Sequence, residues 1–310
     1  MRNAVSEVTS YIYIFGIVMS VLAIVFVQVN GMVEDMKRSV LSKSLEQSFK
    51  RIQYIVYSVA FGDVPSQVAE IELQGGSMFL SKGPEFIVAF VNGSNTISQF
   101  DCIYYNLSGF NPRCLNLSNG DIYDIYPSPL NLCPWGVYDK PACILNTTAG
   151  ELRYEYKDWL LSMEAGAIFS KYSNTEYSKL LYEPRILLST TAGTSKYLVI
   201  TIPVLEGNIS MAGSGRFRFT IEERNWSYAR IDNINKPALR DKFEDVYIIL
   251  RGTQHQQGWC RFFDNFGIFD LNLPEINRTC WNAENPIVKI MRGDEKLETI
   301  ILFKEVALYS

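Results

Sequence analysis

From Val8 to Val33 the chain runs 26 positions without a charged residue. Within that run, Tyr11 to Val29 (YIYIFGIVMSVLAIVFVQV) is apolar except for Gly16, Ser20 and Gln28. The hydrocarbon core of a bilayer, about 30 Å thick, takes roughly 20 apolar residues as one helix. The segment 11–29 is therefore expected to span a membrane. A secretory signal is the alternative, with an apolar region of about 7–15 residues and a small-residue cleavage site after it. Here the run is longer and closes on Val27-Gln28-Val29-Asn30, so the helix is expected to stay attached.

Charge does not orient the span. Arg2 precedes it, and Lys37 and Arg38 follow it, leaving almost no positive-inside bias. Cysteines and sequons decide instead. All six cysteines (Cys102, Cys114, Cys133, Cys143, Cys260, Cys280) lie after the span. So do seven N-x-S/T sequons, at Asn92, Asn106, Asn116, Asn146, Asn208, Asn225 and Asn277. With 20 Asn, and 39 Ser plus Thr in 310 residues, chance gives about 2.5. An even cysteine count without a CxxC fits disulfides better than zinc or thioredoxin-type chemistry. The body is expected outside the cell, disulfide-bonded and glycosylated. Its net charge of −4 offers no field for phosphate and argues against nucleic acid.

Past Asn30 the apolar residues Val33, Met36, Val40, Leu41, Leu45, Phe49, Ile52, Ile55, Val56 and Val59 recur at three- and four-residue steps. That is one stripe of a helix. No proline occurs before Pro65, and Gly62 is a fitting C-cap. One helix from residue 5 to 61 is expected, with two helices broken at Asn30-Gly31 as the alternative.

Beyond Gly62 the period changes to two. Strands are expected at 69–73, 78–80, 85–91, 152–156, 198–204 and 216–222, with a turn at Gly75-Gly76 and a hairpin turn at Gly213-Ser214-Gly215. A terminal hairpin is expected from 288–291 and 297–308. Short helices are expected at 164–171, 237–243 and 254–263, the last burying Trp259, Phe262 and Phe263. The run 102–143 holds four cysteines among Asn, Pro, Gly and Tyr, and reads as an irregular, disulfide-stapled insertion. Cys260 is expected to pair with Cys280, and Cys102, Cys114, Cys133 and Cys143 among themselves, although six cysteines allow about 15 connectivities. The fold class expected is α+β: a long N-terminal helix over 4–61, then a mainly antiparallel β-rich domain over 62–310.

A long helix, half membrane and half amphipathic, feeding a β-rich outer body resembles a type IV pilin. The opening Met1-Arg2-Asn3-Ala4-Val5-Ser6-Glu7-Val8 is similar to archaeal prepilins with a class III signal peptide. That resemblance implies a leader at 1–3, removed by a prepilin peptidase between Asn3 and Ala4, with Asn3 standing where the family favours a small residue. It also implies an assembly role for Glu7, whose carboxylate would meet the new N-terminal amine of a neighbouring subunit. The alternative for Glu7 is an interfacial acid at the positive end of the helix dipole. The stretch 51–76 (RIQYIVYSVAFGDVPSQVAEIELQGG) resembles a group of archaeal pilin-like secreted proteins with large ectodomains.

No catalytic constellation is legible. The lone histidine, His255, has no spacing partner and reads as a surface or capping residue. Gly213-Ser214-Gly215 lacks the Lys-Ser/Thr of a phosphate loop. Asp121, Asp124, Asp264 and Asp270 do not follow the twelve-residue calcium-loop pattern and read as solvated. Tyr123, Tyr126, Trp135 and Tyr138 read as loop anchors, with a sugar- or partner-binding surface as the alternative. No cofactor, metal or enzyme activity is expected. The functional expectation is a pilin-like cell-surface structural or adhesion protein, anchored in the cytoplasmic membrane or assembled in a filament through its helix. Its expected partners are lipid, other pilin-like subunits, the peptidase and glycans. The alternative is a minor, non-polymerising membrane-anchored binding module, with a tethered ectoenzyme behind it.

Overall fold

The computed structural model describes residues 2–92, 111–116, 121–124, 139–191, 195–231, 243–265, 287–291 and 296–309. Two compact units divide the chain, Met1–Gln47 and Ser48–Ser310.

The first unit is built on helix α1 (Arg2–Phe61), which runs without a break through Asn30 and Gly31. It is a single helix, as the unbroken pattern led us to expect, and 60 residues long. Tyr13, Phe15, Leu22, Ile24, Phe26 and Val29 are all exposed. By length and composition this stretch can cross a membrane.

From Ser48 onward α1 belongs to the second unit. Phe49, Ile52, Val56, Val59 and Ala60 are buried there, at the spacing of one helix face. The Gln53 side-chain amide donates to the carbonyls of Gly166 (2.6 Å) and Glu183 (3.1 Å). Tyr57 Oη accepts the Arg185 backbone N–H at 3.0 Å, and the Arg185 guanidinium lies 4.3 Å from the Tyr57 ring centre. The helix closes where the Gly62 N–H reaches the Ser58 carbonyl at 2.9 Å, at the expected cap.

The rest of this unit is mostly sheet. In chain order the strands are β1 (Ser66–Asn92), β2 (Asn111–Asn116), β3 (Ile122–Asp124), β4 (Asp139–Tyr156), β5 (Trp159–Glu164), β6 (Ala167–Tyr172), β7 (Ser178–Tyr182), β8 (Arg185–Thr191), β9 (Ser195–Asn208), β10 (Ser210–Ile231) and β11 (Phe243–Arg251). Helix α2 (Gln256–Asn265), β12 (Ile287–Met291) and β13 (Lys296–Tyr309) follow. The main path is β7-β6-β5-β4-β1-β10-β13-β9-β8. Strand β11 pairs with β1 and β12, and β2 pairs with β3 and β4. Every pairing is antiparallel except β9 with β13. An α+β fold with a mainly antiparallel sheet is thus present.

Strand β1 organises the unit. Residues 66–79 pair with β10, 77–91 with β4, and 85–92 with β11. Both faces of its second half are buried. Phe86, Val88 and Phe90 meet Leu198, Ile200 and Ile202 of β9 and the aromatics of α2, while Ile87, Ala89 and Val91 pack with Leu115, Ile144 and Ile249. A strand covered on both faces reads as a continuous apolar run, which is what 86–91 (FIVAFV) is.

Several expectations are corrected. Gly75-Gly76 does not end a strand. It is a bulge inside β1, where the register to β10 shifts between Gln74 and Ser77. Gly213-Ser214-Gly215 is not a hairpin turn but lies within β10, opposite Leu73 and Gln74. The expected helix at 164–171 is instead the β5–β6 hairpin, turning at Ala165 (φ 48°) and Gly166 (φ 81°). Two consecutive positive φ values define a two-residue hairpin loop, and this local geometry overrides the helical spacing of the apolar residues. The two terminal strands do not form a hairpin. Strand β12 joins β11, while β13 inserts between β10 and β9. Part of 102–143 is regular, with β2 bonded to β3 and β4. Helix α2 buries Trp259, Phe262 and Phe263 as expected. The helix expected at 237–243 lies outside the described residues up to Phe243, which opens β11.

Candidate functional site

The polar residues that the fold brings together are not those the sequence singles out. In the segment 159–169 (WLLSMEAGAIF) only Ser162 and Glu164 are polar. Strand alternation puts both on one face of β5. The antiparallel register sets Glu164 directly opposite Glu151 of β4. That face is covered by the loop from β11 into α2, which carries Thr253 and His255. Both carboxylates and the imidazole are withdrawn from water, with exposures of 3% for Glu151, 1% for Glu164 and 0% for His255.

His255 sits just before α2, and its carbonyl accepts the Trp259 N–H at 3.0 Å. That is the first intrahelical bond of α2, so the His255 side chain does not cap the helix. Its side chain is not at the surface. Ser162 Oγ lies 2.6 Å from Nε2 and Ser178 Oγ 2.6 Å from Nδ1. The ring stacks on Phe169 at 4.7 Å and 5°. Glu151 Oε1 stands 3.6 Å from Nε2.

Each carboxylate has its own supports. Arg153 Nη2 is 3.1 Å from Glu151 Oε2, and Ser81 Oγ donates to the same oxygen at 3.3 Å. Glu164 Oε1 accepts from Thr253 Oγ1 (2.5 Å) and Trp259 Nε1 (2.5 Å). Thr253 Oγ1 in turn accepts the His255 N–H at 3.0 Å. Among the described residues, no hydrogen bond reaches the other Glu164 oxygen.

The two acids are driven apart electrostatically. Burial lifts the Glu164 carboxyl above the ordinary glutamate range, more than His255, Thr253 and Trp259 can offset. Burial also opposes ionisation of Glu151, but the polar contact with the His255 imidazole and the charges of Arg153 and His255 outweigh it. They hold that carboxyl below its ordinary value. One ligand atom from each of Glu151, Glu164 and His255 falls within 4.8 Å of the other two, so the trio has the composition and spacing to hold a cation.

The residues expected to carry function lie elsewhere. Asn3, Ala4 and Glu7 fall in the first turns of α1, and their side chains are outside the described ones. Cys114, Cys143 and Cys260 are buried, and no described cysteine is free. Cys102, Cys133 and Cys280 lie outside the described residues, and with them the expected Cys260–Cys280 pairing. Of the sequons, Asn146, Asn208 and Asn225 are exposed on strands and Asn116 is half-buried. Asn92 ends β1, while Asn106 and Asn277 are outside the described residues. Asp121 stands 3.9 Å from Arg251 in an ion pair, and Asp264 is exposed on α2. The side chains of Asp124 and Tyr123, and all of Asp270, Tyr126, Trp135 and Tyr138, are outside the described residues.

The signal for the cluster is present in the sequence, as a glutamate inside an otherwise apolar strand. Its partners come from β4 and from the loop before α2, which only the fold unites.

The fold and this cluster define an α+β protein, a long N-terminal helix followed by a mainly antiparallel sheet, with a buried acidic–histidine core. The chain belongs to a family of unknown function, DUF7289, which it matches over residues 3–267. It is also similar to a protein of Archaeoglobus fulgidus described as an uncharacterized protein, with 51% identity over 314 residues and 99% of each chain covered. No solved structure matches.

Proposed function

We propose that this is a pilin-like protein of the archaeal cell surface, held in the cytoplasmic membrane or in a filament by α1, with the β-sheet unit displayed outside for structural or adhesive contact. The observation that carries this reading is the division of labour along α1. Residues 13–33 expose an uncharged apolar surface, and the last turns are built into the β-sheet unit. An apolar surface of that length needs lipid or apolar helices of other subunits around it. Three exposed sequons and the absence of a free described cysteine support an outside location with glycans and disulfides.

The second reading is a minor or non-polymerising anchored binding module. The size of the sheet favours it, because a bulky subunit is harder to pack along a filament. Electron microscopy of sheared cell-surface material, with intact mass of the purified chain, separates the two. Fibres made of this chain and an N-terminus at Ala4 support the filament. An N-terminus at Ala4 without fibres supports the module. A chain still beginning at Met1 and found in the cytosol overturns both.

A further inference from the structure

We infer that Glu151, Glu164 and His255 form a structural site for one zinc-class divalent cation, which ties the loop ahead of α2 to the β4–β5 ladder. Three observations converge on it.

The first is the donor set. An imidazole with two carboxylates suits zinc and its late first-row neighbours. Calcium and magnesium prefer all-oxygen shells.

The second is the spacing. Glu151 Oε1 and His255 Nε2 are 3.6 Å apart, an ion-pair distance longer than an ordinary hydrogen bond. Two ligands sharing a tetrahedral zinc at about 2.0–2.1 Å stand roughly 3.3 Å apart. A contraction of a few tenths of an ångström brings the pair onto one ion.

The third is the way each ligand is held from behind. Ser178 Oγ, 2.6 Å from Nδ1, is placed to accept Nδ1–H and leave the Nε2 lone pair turned inward. Arg153 and Ser81 hold Glu151 Oε2 at 3.1 and 3.3 Å, while Oε1, which faces His255, takes longer contacts of 3.4 Å from Arg153 Nε and Nη2. Thr253 and Trp259 both hold Glu164 Oε1, so the second oxygen of this fully buried carboxylate has no hydrogen bond from any described residue. Like charges directly opposite on a ladder repel. A divalent ion between two carboxylates neutralises both, and a buried site filled during folding needs no entrance. Ser162 Oγ, 2.6 Å from Nε2, is the group the ion displaces.

The chain contains one histidine, which makes the test specific. The untagged full chain, stripped with chelator while unfolded, is refolded into detergent with Zn²⁺ as the one added metal, and unbound metal is dialysed away. Metal content and zinc X-ray absorption are then read. The expected result is roughly one zinc per chain, with one imidazole nitrogen and carboxylate oxygens at about 2.0–2.2 Å. Glu164→Gln should abolish stoichiometric binding, and Ser178→Ala should weaken it about 10–100-fold while leaving the imidazole signature. The inference is overturned if the folded wild type takes up no stoichiometric zinc, if the bound zinc shows no imidazole, or if Glu164→Gln binds as the wild type does. Should that variant fail to fold, the wild-type absorption spectrum alone decides, because only His255 can supply the imidazole.

Discussion

Glu151 and Glu164 are direct partners across the β4–β5 ladder, both sealed from water, with the chain's single histidine completing the group. Adjacent strands rarely set two acids face to face without a counter-charge. Here burial is deepest at Glu164, where the His255 charge and the donors Thr253 and Trp259 do not offset it, whereas Glu151 has the Arg153 guanidinium as well as His255. The asymmetry accounts for the opposite directions of their pKa shifts.

Those directions give the metal-free protein a pH optimum of stability. Glu164 keeps its proton in the folded chain after the unfolded chain has lost it. Its contribution therefore declines as pH rises from the unfolded glutamate pKa through the higher folded one. Glu151 behaves oppositely. Its contribution is present above the unfolded pKa and is lost as pH falls through the lower folded one. Urea midpoints of chelator-stripped protein should peak near the unfolded glutamate pKa, where the two windows meet. Glu164→Gln, neutral at every pH, should flatten the decline on the alkaline side and keep the acid one.

Thr253→Val preserves shape but removes a hydroxyl with two duties, donating to Glu164 and accepting from the His255 backbone. Each buried group left short costs about 1–3 kcal/mol. Equilibrium urea unfolding should show the loss as a lower midpoint with an unchanged slope.

Gly166→Ala should be far more damaging than Gly16→Ala in a monomer. Gly166 has φ 81°, and an added Cβ would sit 2.1 Å from Tyr57 Oη and 3.1 Å from Pro203 Cδ. Backbone strain there costs about 1–3 kcal/mol before the clash is counted. An added Cβ at Gly16 meets nothing within 4 Å. Thermal unfolding in detergent should show a large drop for the first and almost none for the second.

Truncation should separate anchor from core. A chain starting at Glu34 loses the uncharged segment and should fractionate as a soluble, folded protein. A chain starting at Gly62 also loses Phe49, Ile52, Val56, Tyr57 and Val59, all buried. It should aggregate, because removing each large buried side chain costs about 2–5 kcal/mol. Size-exclusion chromatography and circular dichroism of the two products check this.

Most of the elements were legible because they follow local periodicity. The charge-free run and the apolar stripe after it mark α1, and period-two alternation marks the strands over 152–156, 198–204 and 216–222. Reading failed where local signals were ambiguous. Met163 to Phe169 has apolar spacing compatible with a helix, yet two positive-φ residues turn it into a hairpin. Glycine pairs that punctuate a sequence as turns became, at Gly75-Gly76, a bulge in a 27-residue strand.

By itself, the sequence determined the long helix, its membrane-compatible half, the sheet-rich body and the buried aromatics of α2. All of these depend on side chains a few residues apart. The tertiary structure alone decided that β13 runs parallel to β9, that the last turns of α1 belong to the β-sheet unit, and that a lone histidine meets two glutamates. These rest on contacts between residues nearly a hundred or more positions apart, such as Glu164 with Trp259 and Tyr57 with Arg185. No local period encodes such pairings. They are fixed when the strands take their register and bury what lies between them.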